Sequence, residues 1–220
     1  MTRAHPLSRV AIAVSLLAAL AGCRMLGVSP GGGSPRLESA EAGTFLDFSP
    51  TQAVYINKDE NAAELYFTDL APSDLLPQAD LKGTWGQFIH IRHFLQPKAG
   101  ETPIDPEANS VIIRHIVIAD GQIGLYGGGG FMFDSGNPGD DSFGGAIPRA
   151  SMKPVAHTPG FVDRIGLAYF SGSFSAKKDA AEAERLRKGL NVLLAKIPRP
   201  VEPEHAKPVP AADAKDLQEK

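Results

Sequence analysis

The segment at residues 109–121, NSVIIRHIVIADG, decides the fold class of this chain. β-Branched side chains, which pack well on a pleated sheet, dominate it: Val111, Ile112, Ile113, Ile116, Val117 and Ile118. The dipeptide Asp120-Gly121 follows directly and favours a two-residue hairpin turn, because glycine adopts a positive φ without steric cost. The segment therefore predicts a strand that turns back at Gly121 into an antiparallel partner beginning at Gln122.

Short apolar runs ended by turn residues recur on both sides of this hairpin. They predict further strands at residues 44–48, 53–57, 63–68, 86–95, 122–126, 130–133, 145–156 and 162–174. Pro159-Gly160 predicts a tight turn between the last two strands. The 220 residues include 23 glycines and 18 prolines, which weaken helix interiors, so the composition excludes a mostly helical fold.

One helix is predicted near the C-terminus, at residues 176–197. Ser175 is the predicted N-cap, and Pro198 ends the helix. Its apolar residues recur at spacings of three and four and form one face: Ala183, Leu186, Leu190, Leu193 and Ile197. These elements predict a mostly β fold, an antiparallel β-sandwich with one C-terminal amphipathic helix, with a closed barrel as the alternative.

The first 23 residues are typical of an export signal. Arg3 and Arg9 precede the apolar run at residues 10–21, which would rise only about 18 Å as a helix and is too short to span a bilayer. The run ends in Leu20-Ala21-Gly22-Cys23, which resembles the lipobox of bacterial lipoproteins. The alternative is an ordinary cleavable signal that uses Ala19-Leu20-Ala21 as its cleavage site.

The resemblance to bacterial lipoproteins implies a covalent anchor on Cys23. Diacylglycerol would be added to the Cys23 thiol, the chain cleaved before Cys23, and the new N-terminus often acylated, typically with palmitate. Two or three acyl chains suffice for stable membrane anchoring. Because Arg24 follows the cysteine, in place of the Asp that retains such proteins in the inner membrane of enteric bacteria, the outer membrane is favoured.

Composition divides the chain into four segments. We predict a signal peptide at residues 1–22, the lipidated cysteine and a flexible Gly/Pro/Ser-rich tether at 23–43, one β-rich domain at 44–197, and a Pro-rich disordered tail at 198–220. The only cysteine excludes an internal disulfide and a cysteine-based zinc site. A net charge of −3 gives no general attraction to nucleic acid.

Acidic and amide side chains crowd the segment after residue 133. Asp134, Asn137, Asp140 and Asp141 could supply hard oxygen ligands to calcium, but Gly136 and Pro138 occupy positions where an EF-hand requires Asp or Asn. An Asx-rich surface turn is the simpler interpretation, so we assign no metal, and no cofactor beyond the covalent lipid is expected.

The run from Gly127 to Gly130 precedes a strand-like segment rather than a helix. It therefore predicts a bulge or a close approach of another backbone, not a phosphate-binding loop.

Histidines and arginines of the predicted strands are the remaining candidates. His90 and His93 should point to opposite faces of one strand, which argues against a shared metal, and His115 should be a core residue. Arg92 and Arg114 could meet across neighbouring strands and bind an anionic group, or they could pair with Glu64 or Asp163.

The chain contains neither a Gly-x-Ser-x-Gly elbow nor an HExxH helix, so no catalytic residue is assigned. We predict a non-enzymatic, lipid-anchored envelope protein that binds another envelope protein or component through the loops at 96–108 and 134–144. One alternative is a metal-assisted envelope hydrolase that uses Asp134, Asp140, Asp141 and a histidine. Another is a structural component of a secretion or surface assembly. The oligomeric state stays open.

Overall fold

A computed structural model describes residues 33–95 and 109–198 of the chain. The predicted signal peptide, Cys23, the loop at 96–108 and the tail after Pro198 lie outside the described residues. In the part that is described, no helix combines the length and the apolar character needed to cross a membrane.

The described residues form ten strands, one short 3₁₀ turn at Pro72–Leu75 and one α-helix, α1, at Ala180–Lys196. The strands are β1 Arg36–Ser39, β2 Phe45–Asp47, β3 Gln52–Asn57, β4 Ala63–Thr68, β5 Gly86–His93, β6 Val111–Ala119, β7 Gln122–Gly130, β8 Phe133–Ser135, β9 Ser142–His157 and β10 Ala168–Lys178. This confirms the mostly β fold with a single C-terminal helix. The hairpin predicted at Asp120-Gly121 joins β6 to β7, and both residues have a positive φ, 51° and 76°.

All ten strands belong to one sheet, in the order β2-β1-β10-β3-β4-β5-β6-β7-β9-β8. β10 also pairs with β9, so seven strands, β3 to β7 with β9 and β10, form a closed ring. Every pairing is antiparallel except one: Lys177 and Lys178 at the end of β10 pair in parallel with Val54 and Tyr55 of β3. Opposite walls of the ring face each other across the core, as the two sheets of a sandwich do.

Two apolar cores lie on the two faces of this sheet. The first is enclosed by the ring and receives residues such as Ile91, Ile113 and Phe170. The second lies outside the ring, where the apolar face of α1 packs on β3, β4 and the 3₁₀ turn, and residues of β5 and β6 belong to the same cluster. β6 supplies Val111, Ile113 and Val117 to the first core and Ile116 and Ile118 to the second, which explains why its sequence is apolar on both faces.

The helix begins four residues later than predicted. Ser175 and the next three residues continue β10, where Ser175 pairs with Gly144 of β9. Asp179 is the N-cap instead, and its carboxylate accepts a hydrogen bond from the backbone N–H of Glu182 at 2.9 Å. The prediction failed because Ser and Asp are both good N-caps, and the strand pairing decides between them.

The tether predicted at residues 23–43 is wrong in its second half. β1 pairs with β10 on one side and with β2 on the other, and Leu37 is fully buried in the first core. The domain therefore begins before residue 36, where Pro35 O accepts a hydrogen bond from Phe48 N at 2.9 Å. One apolar residue in a four-residue strand is too weak a signal to be seen in the sequence.

Candidate functional site

An open cleft of about 770 Å³ lies at the end of the ring where β5 and β7 begin and β6 ends. We call it the end cleft. Its walls come from residues 44–46, 85–87, 117–122 and 160–165, which belong to four separate parts of the chain. Most of its surface is apolar, and the volume lies in the range of small-ligand sites in proteins.

Large apolar side chains on the rim of the end cleft stand in solvent. Trp85 and Val162 are each 71% exposed and Phe45 is 50% exposed, and all three line the cleft. Leu167, 56% exposed, follows in the same loop as Val162. Side chains of this kind concentrated around one concavity are typical of an interaction site.

Local turns hold Trp85 in this exposed position. Thr84 N donates to Leu81 O at 2.8 Å, and Thr84 O accepts from Gly121 N at 3.1 Å. A Cβ on Gly121 would lie 2.6 Å from Leu81 O, so the approach of the two turns requires glycine there. The turn before β5 is thus fixed against the β6–β7 hairpin, and Trp85 projects from the junction.

Tyr126 and Asp163 tie the loop after β9 to the ring. Tyr126 Oη donates to Asp163 Oδ1 at 2.5 Å, and the same oxygen accepts from the backbone N–H groups of Ile165 and Gly166 at 2.9 and 3.0 Å. Burial alone would raise the pKa of Asp163, but these hydrogen bonds outweigh it and hold that pKa below its ordinary value. Burial and the carboxylate raise the pKa of Tyr126, so the phenol is a neutral donor at pH 7.

Gln87 links the end cleft to a histidine inside the ring. Its Oε1 is 2.8 Å from His115 Nε2, and its Nε2 donates to Asp47 O at 2.9 Å, so His115 is the donor in the first contact. His115 is fully buried between the rings of Phe48 and Phe170. Burial lowers the pKa of His115 to about 3, and the imidazole is neutral. The prediction of a core histidine is confirmed.

The polar groups near the end cleft thus serve to fix its loops. Tyr126, Asp163, Gln87 and the carboxylate of Asp69, which accepts from Gln87 N at 2.6 Å, all have partners within the protein. What the cleft offers to a ligand is mostly apolar and aromatic surface, with Asp120 and Arg164 also among its lining residues. The arrangement suits non-covalent binding of an apolar group.

The calcium candidates do not come together at one point. Asp134 lies in β8 rather than in a loop, and its Oδ2 is 3.2 Å from Nε2 of His93. Asp140 Oδ2 accepts from Asn137 N at 2.7 Å, and Asp140 N donates to Asn137 O at 3.1 Å, so these two residues close a turn on each other, while the main-chain oxygen of Asp141 accepts from Lys178 N. Across residues 33–95 and 109–198, no group of three or more His, Cys, Asp or Glu side chains could hold a metal ion.

His90 and His93 lie on opposite faces of β5, as predicted. His93 is buried against the ring of Phe143 and beside Asp134, whose side chain is 9% exposed. His90 lies on the outer face and stacks on Tyr66, with ring centroids 4.8 Å apart and planes 19° apart. The two imidazoles therefore belong to different environments and share no ligand.

The glycine run of β7 is a place of close backbone approach, which confirms that prediction. A Cβ on Gly128 would lie 1.9 Å from Ser151 O of β9, and one on Gly130 would lie 2.8 Å from Ala150 Cα. The β7–β9 pairing also shifts register between Leu125 and Tyr126, next to the run.

The sequence predicted partner binding at two loops and not at the end cleft. Of these two loops, 96–108 lies outside the described residues and 134–144 lies toward the opposite end of β6, about 27 Å away along that strand. The segment 162–167 was predicted as strand, but β10 begins only at Ala168, so Val162 stands on a loop. The one sequence feature that could have indicated the cleft is the single tryptophan, because Trp85 lies between turn residues and not in an apolar run that would bury it.

These features define a mostly β domain with a closed sheet, one docked helix and an apolar cleft at one end. No protein-family model, no curated protein and no solved structure matches the chain. Its function is therefore inferred from its own residues.

Proposed function

We propose that this chain is a lipid-anchored binding protein of the bacterial envelope, and that its end cleft binds an apolar segment of an envelope partner. The observation that carries the proposal is the exposed rim of Trp85, Val162 and Phe45 around a cleft of about 770 Å³. Burying a fully exposed side chain of this size contributes about 1.5–3 kcal/mol, so the three rim residues together would contribute several kcal/mol to binding.

The cleft is suited to binding because its frame is already ordered. The hydrogen bonds of Asp163, Gln87 and Thr84 hold β2 and the two loops that carry the rim residues. A partner that enters the cleft would therefore not have to order these loops, and more of the apolar contact energy would appear as affinity.

The lipid on Cys23 would keep this cleft close to a membrane, with the outer membrane favoured. Because β1 belongs to the domain, only about ten residues separate Cys23 from the folded part, not the twenty of the predicted tether. A flexible coil of that length spans about 17 Å on average, so partners within or against the same membrane are favoured.

The cleft is tested by in-cell cross-linking of the full-length protein, with two matched valine substitutions. Val162→Asp places a charge on the rim, and Val155→Asp places the same charge on β9, where Val155 is 48% exposed and does not line the cleft. We expect the Val162→Asp variant to lose its cross-linked partner by at least tenfold and the Val155→Asp variant to keep it. Equal recovery of one partner by both variants would exclude the end cleft as its binding site.

The single tryptophan provides a direct readout of the same contact. Trp85 should shift its fluorescence emission to shorter wavelength when the purified partner is added, because the indole leaves water. An unchanged spectrum at saturating partner would show that binding takes place elsewhere on the protein.

The anchor is tested separately with Cys23→Ser. This variant should not incorporate labelled palmitate and should leave the membrane fraction, whereas the Trp85 shift with a soluble partner should persist. Retention of the variant in membranes would contradict the anchor, and it would leave the role of the cleft standing.

A further inference from the structure

A second surface, on the outer face of the ring away from the end cleft, carries two arginines and a buried histidine in register. His90 of β5 is directly opposite Arg114 of β6, and Arg92 follows two residues later on the same face of β5. Long side chains at such diagonal positions, about 7–8 Å apart at their bases, reach a common point. We call this group the arginine face.

The two arginines have no carboxylate partner in the described part of the chain. Glu64, which stands opposite Arg92 on β4, is engaged with Tyr66 Oη at 2.6 Å and with Lys58 Nζ at 3.5 Å. Asp163, the other candidate from the sequence, is held by Tyr126 at the end cleft. Both guanidinium groups are exposed, and no ion pair to another described residue neutralises them.

A buried imidazole nitrogen at the same place also has no partner. His90 is 7% exposed, and its Nε2 has no hydrogen-bond partner among the residues that the structure describes. Burial first, and then the charges of Arg114 and Arg92, lowers the pKa of His90 to about 4, against the opposing effect of Glu64. In the neutral ring this nitrogen is either an N–H donor or a lone-pair acceptor, and leaving a buried polar atom of either kind unpaired costs about 1–3 kcal/mol.

The neighbouring strands leave this surface open and add a further positive charge. The residue of β7 opposite Arg114 is Gly127, which has no side chain to cover the guanidinium. Beyond it on β9 stands Lys153, exposed and two strand spacings, about 10 Å, from Arg114.

We propose that Arg92 and Arg114 bind a phosphate-class anion against His90 on the arginine face. Guanidinium groups hold phosphate oxygens through paired N–H donors, and the two arginines can take different oxygens of one group. The anion would neutralise two charges that no other described residue pairs with, and it would lie next to the buried imidazole. The phosphate could belong to a soluble metabolite or to a lipid headgroup. This site is independent of the end cleft, since Arg114 lies about 17 Å along β6 from Ala119.

The experiment uses the mature full-length chain with Cys23→Ser, so that no acyl anchor contributes to binding. Inorganic pyrophosphate is titrated at low ionic strength and followed by imidazole NMR signals. Vesicles of phosphatidylglycerol and of phosphatidylcholine are compared by sedimentation. With pyrophosphate, we expect saturable changes in the NMR signals of His90 and no change in those of His115. With vesicles, the alternative result is that the protein sediments with phosphatidylglycerol and not with phosphatidylcholine. The first result identifies a soluble anion and the second a headgroup.

Matched substitutions show whether the arginines are responsible. Arg92→Gln and Arg114→Gln should each weaken binding by about tenfold, because a charge-assisted hydrogen bond contributes about 1.5 kcal/mol. Arg149→Gln removes the same charge from a residue that stacks on Tyr169 of β10, and it should leave binding unchanged. The proposal is overturned if neither probe binds, if the His90 signals stay unchanged at saturation, or if all three variants bind equally well.

Discussion

We expect Gly128→Ala to destabilise the domain by about 3 kcal/mol, although it adds a single methyl group. The new Cβ would lie 1.9 Å from Ser151 O and 2.9 Å from Met152 Cα, both main-chain atoms of β9. β7 and β9 must therefore separate by at least about 1 Å at this point. Overpacking of this kind costs about 1–3 kcal/mol, and each ladder hydrogen bond lost costs about 1 kcal/mol more.

Gly127→Ala is the matched control for this substitution. Its Cβ would meet only Val155 Cγ2, at 2.8 Å, and that half-exposed side chain can rotate away. The loss of chain entropy in the unfolded state then stabilises the variant by about 0.4–1 kcal/mol, which roughly offsets the residual contact.

Urea unfolding followed by far-ultraviolet circular dichroism measures both changes. In thermal unfolding, Gly128→Ala should lower the melting temperature by about 6–12 °C, and Gly127→Ala should move it by less than about 3 °C. A Gly128→Ala variant within 1 kcal/mol of the parent protein would refute the argument that main-chain proximity demands glycine in β7.

Three further changes test other parts of the fold. His93→Leu should cost about 1–3 kcal/mol in urea unfolding, because it removes the imidazole nitrogen that lies 3.2 Å from the largely buried carboxyl of Asp134; adding Asp134→Leu should recover most of the loss. The pKa values of about 3 for His115 and about 4 for His90 in the folded protein lie below the ordinary 6.5. As the pH falls, the unfolded chain therefore binds protons before the folded chain does. The free energy of unfolding should therefore fall as the pH drops from 6.5 to 4, by up to about 1.4 kcal/mol per pH unit for each histidine; a flat profile would contradict their burial as neutral rings. Asp179→Ala removes the N-cap of α1 and should cost about 1 kcal/mol, whereas Ser175→Ala should cost less than half of that.

Local patterns were enough to predict the parts of the fold that depend on neighbours in sequence. The β6–β7 hairpin follows from β-branched residues and one Asp-Gly turn, and the buried face of α1 follows from its spacing of three and four. The strand period also placed His90 and His93 on opposite faces. In each case, burial on a regular element imposes a period that the sequence has to match.

The parts that were missed depend on contacts between distant segments. Leu37 belongs to a strand only because β10, more than 130 residues later, pairs with it. The end cleft brings together Phe45 of β2 with Trp85 and Val162 of two loops, and no pattern within any one of these segments indicates that they meet. His90 and Arg114 lie opposite each other only in one register of β5 with β6, and the sequence of neither strand determines that register.

The position of β10 in the sheet also determines when the chain can complete its fold. β10 pairs with β1, β3 and β9, so no N-terminal fragment that ends before residue 168 contains a closed ring. During synthesis, the earlier strands must wait until nearly the whole domain has emerged before the sheet can close. Non-local pairing of this kind is slow to form. A chain that ends before β10 therefore leaves the ring open, and the inner core that the ring encloses stays accessible to water until β10 is added.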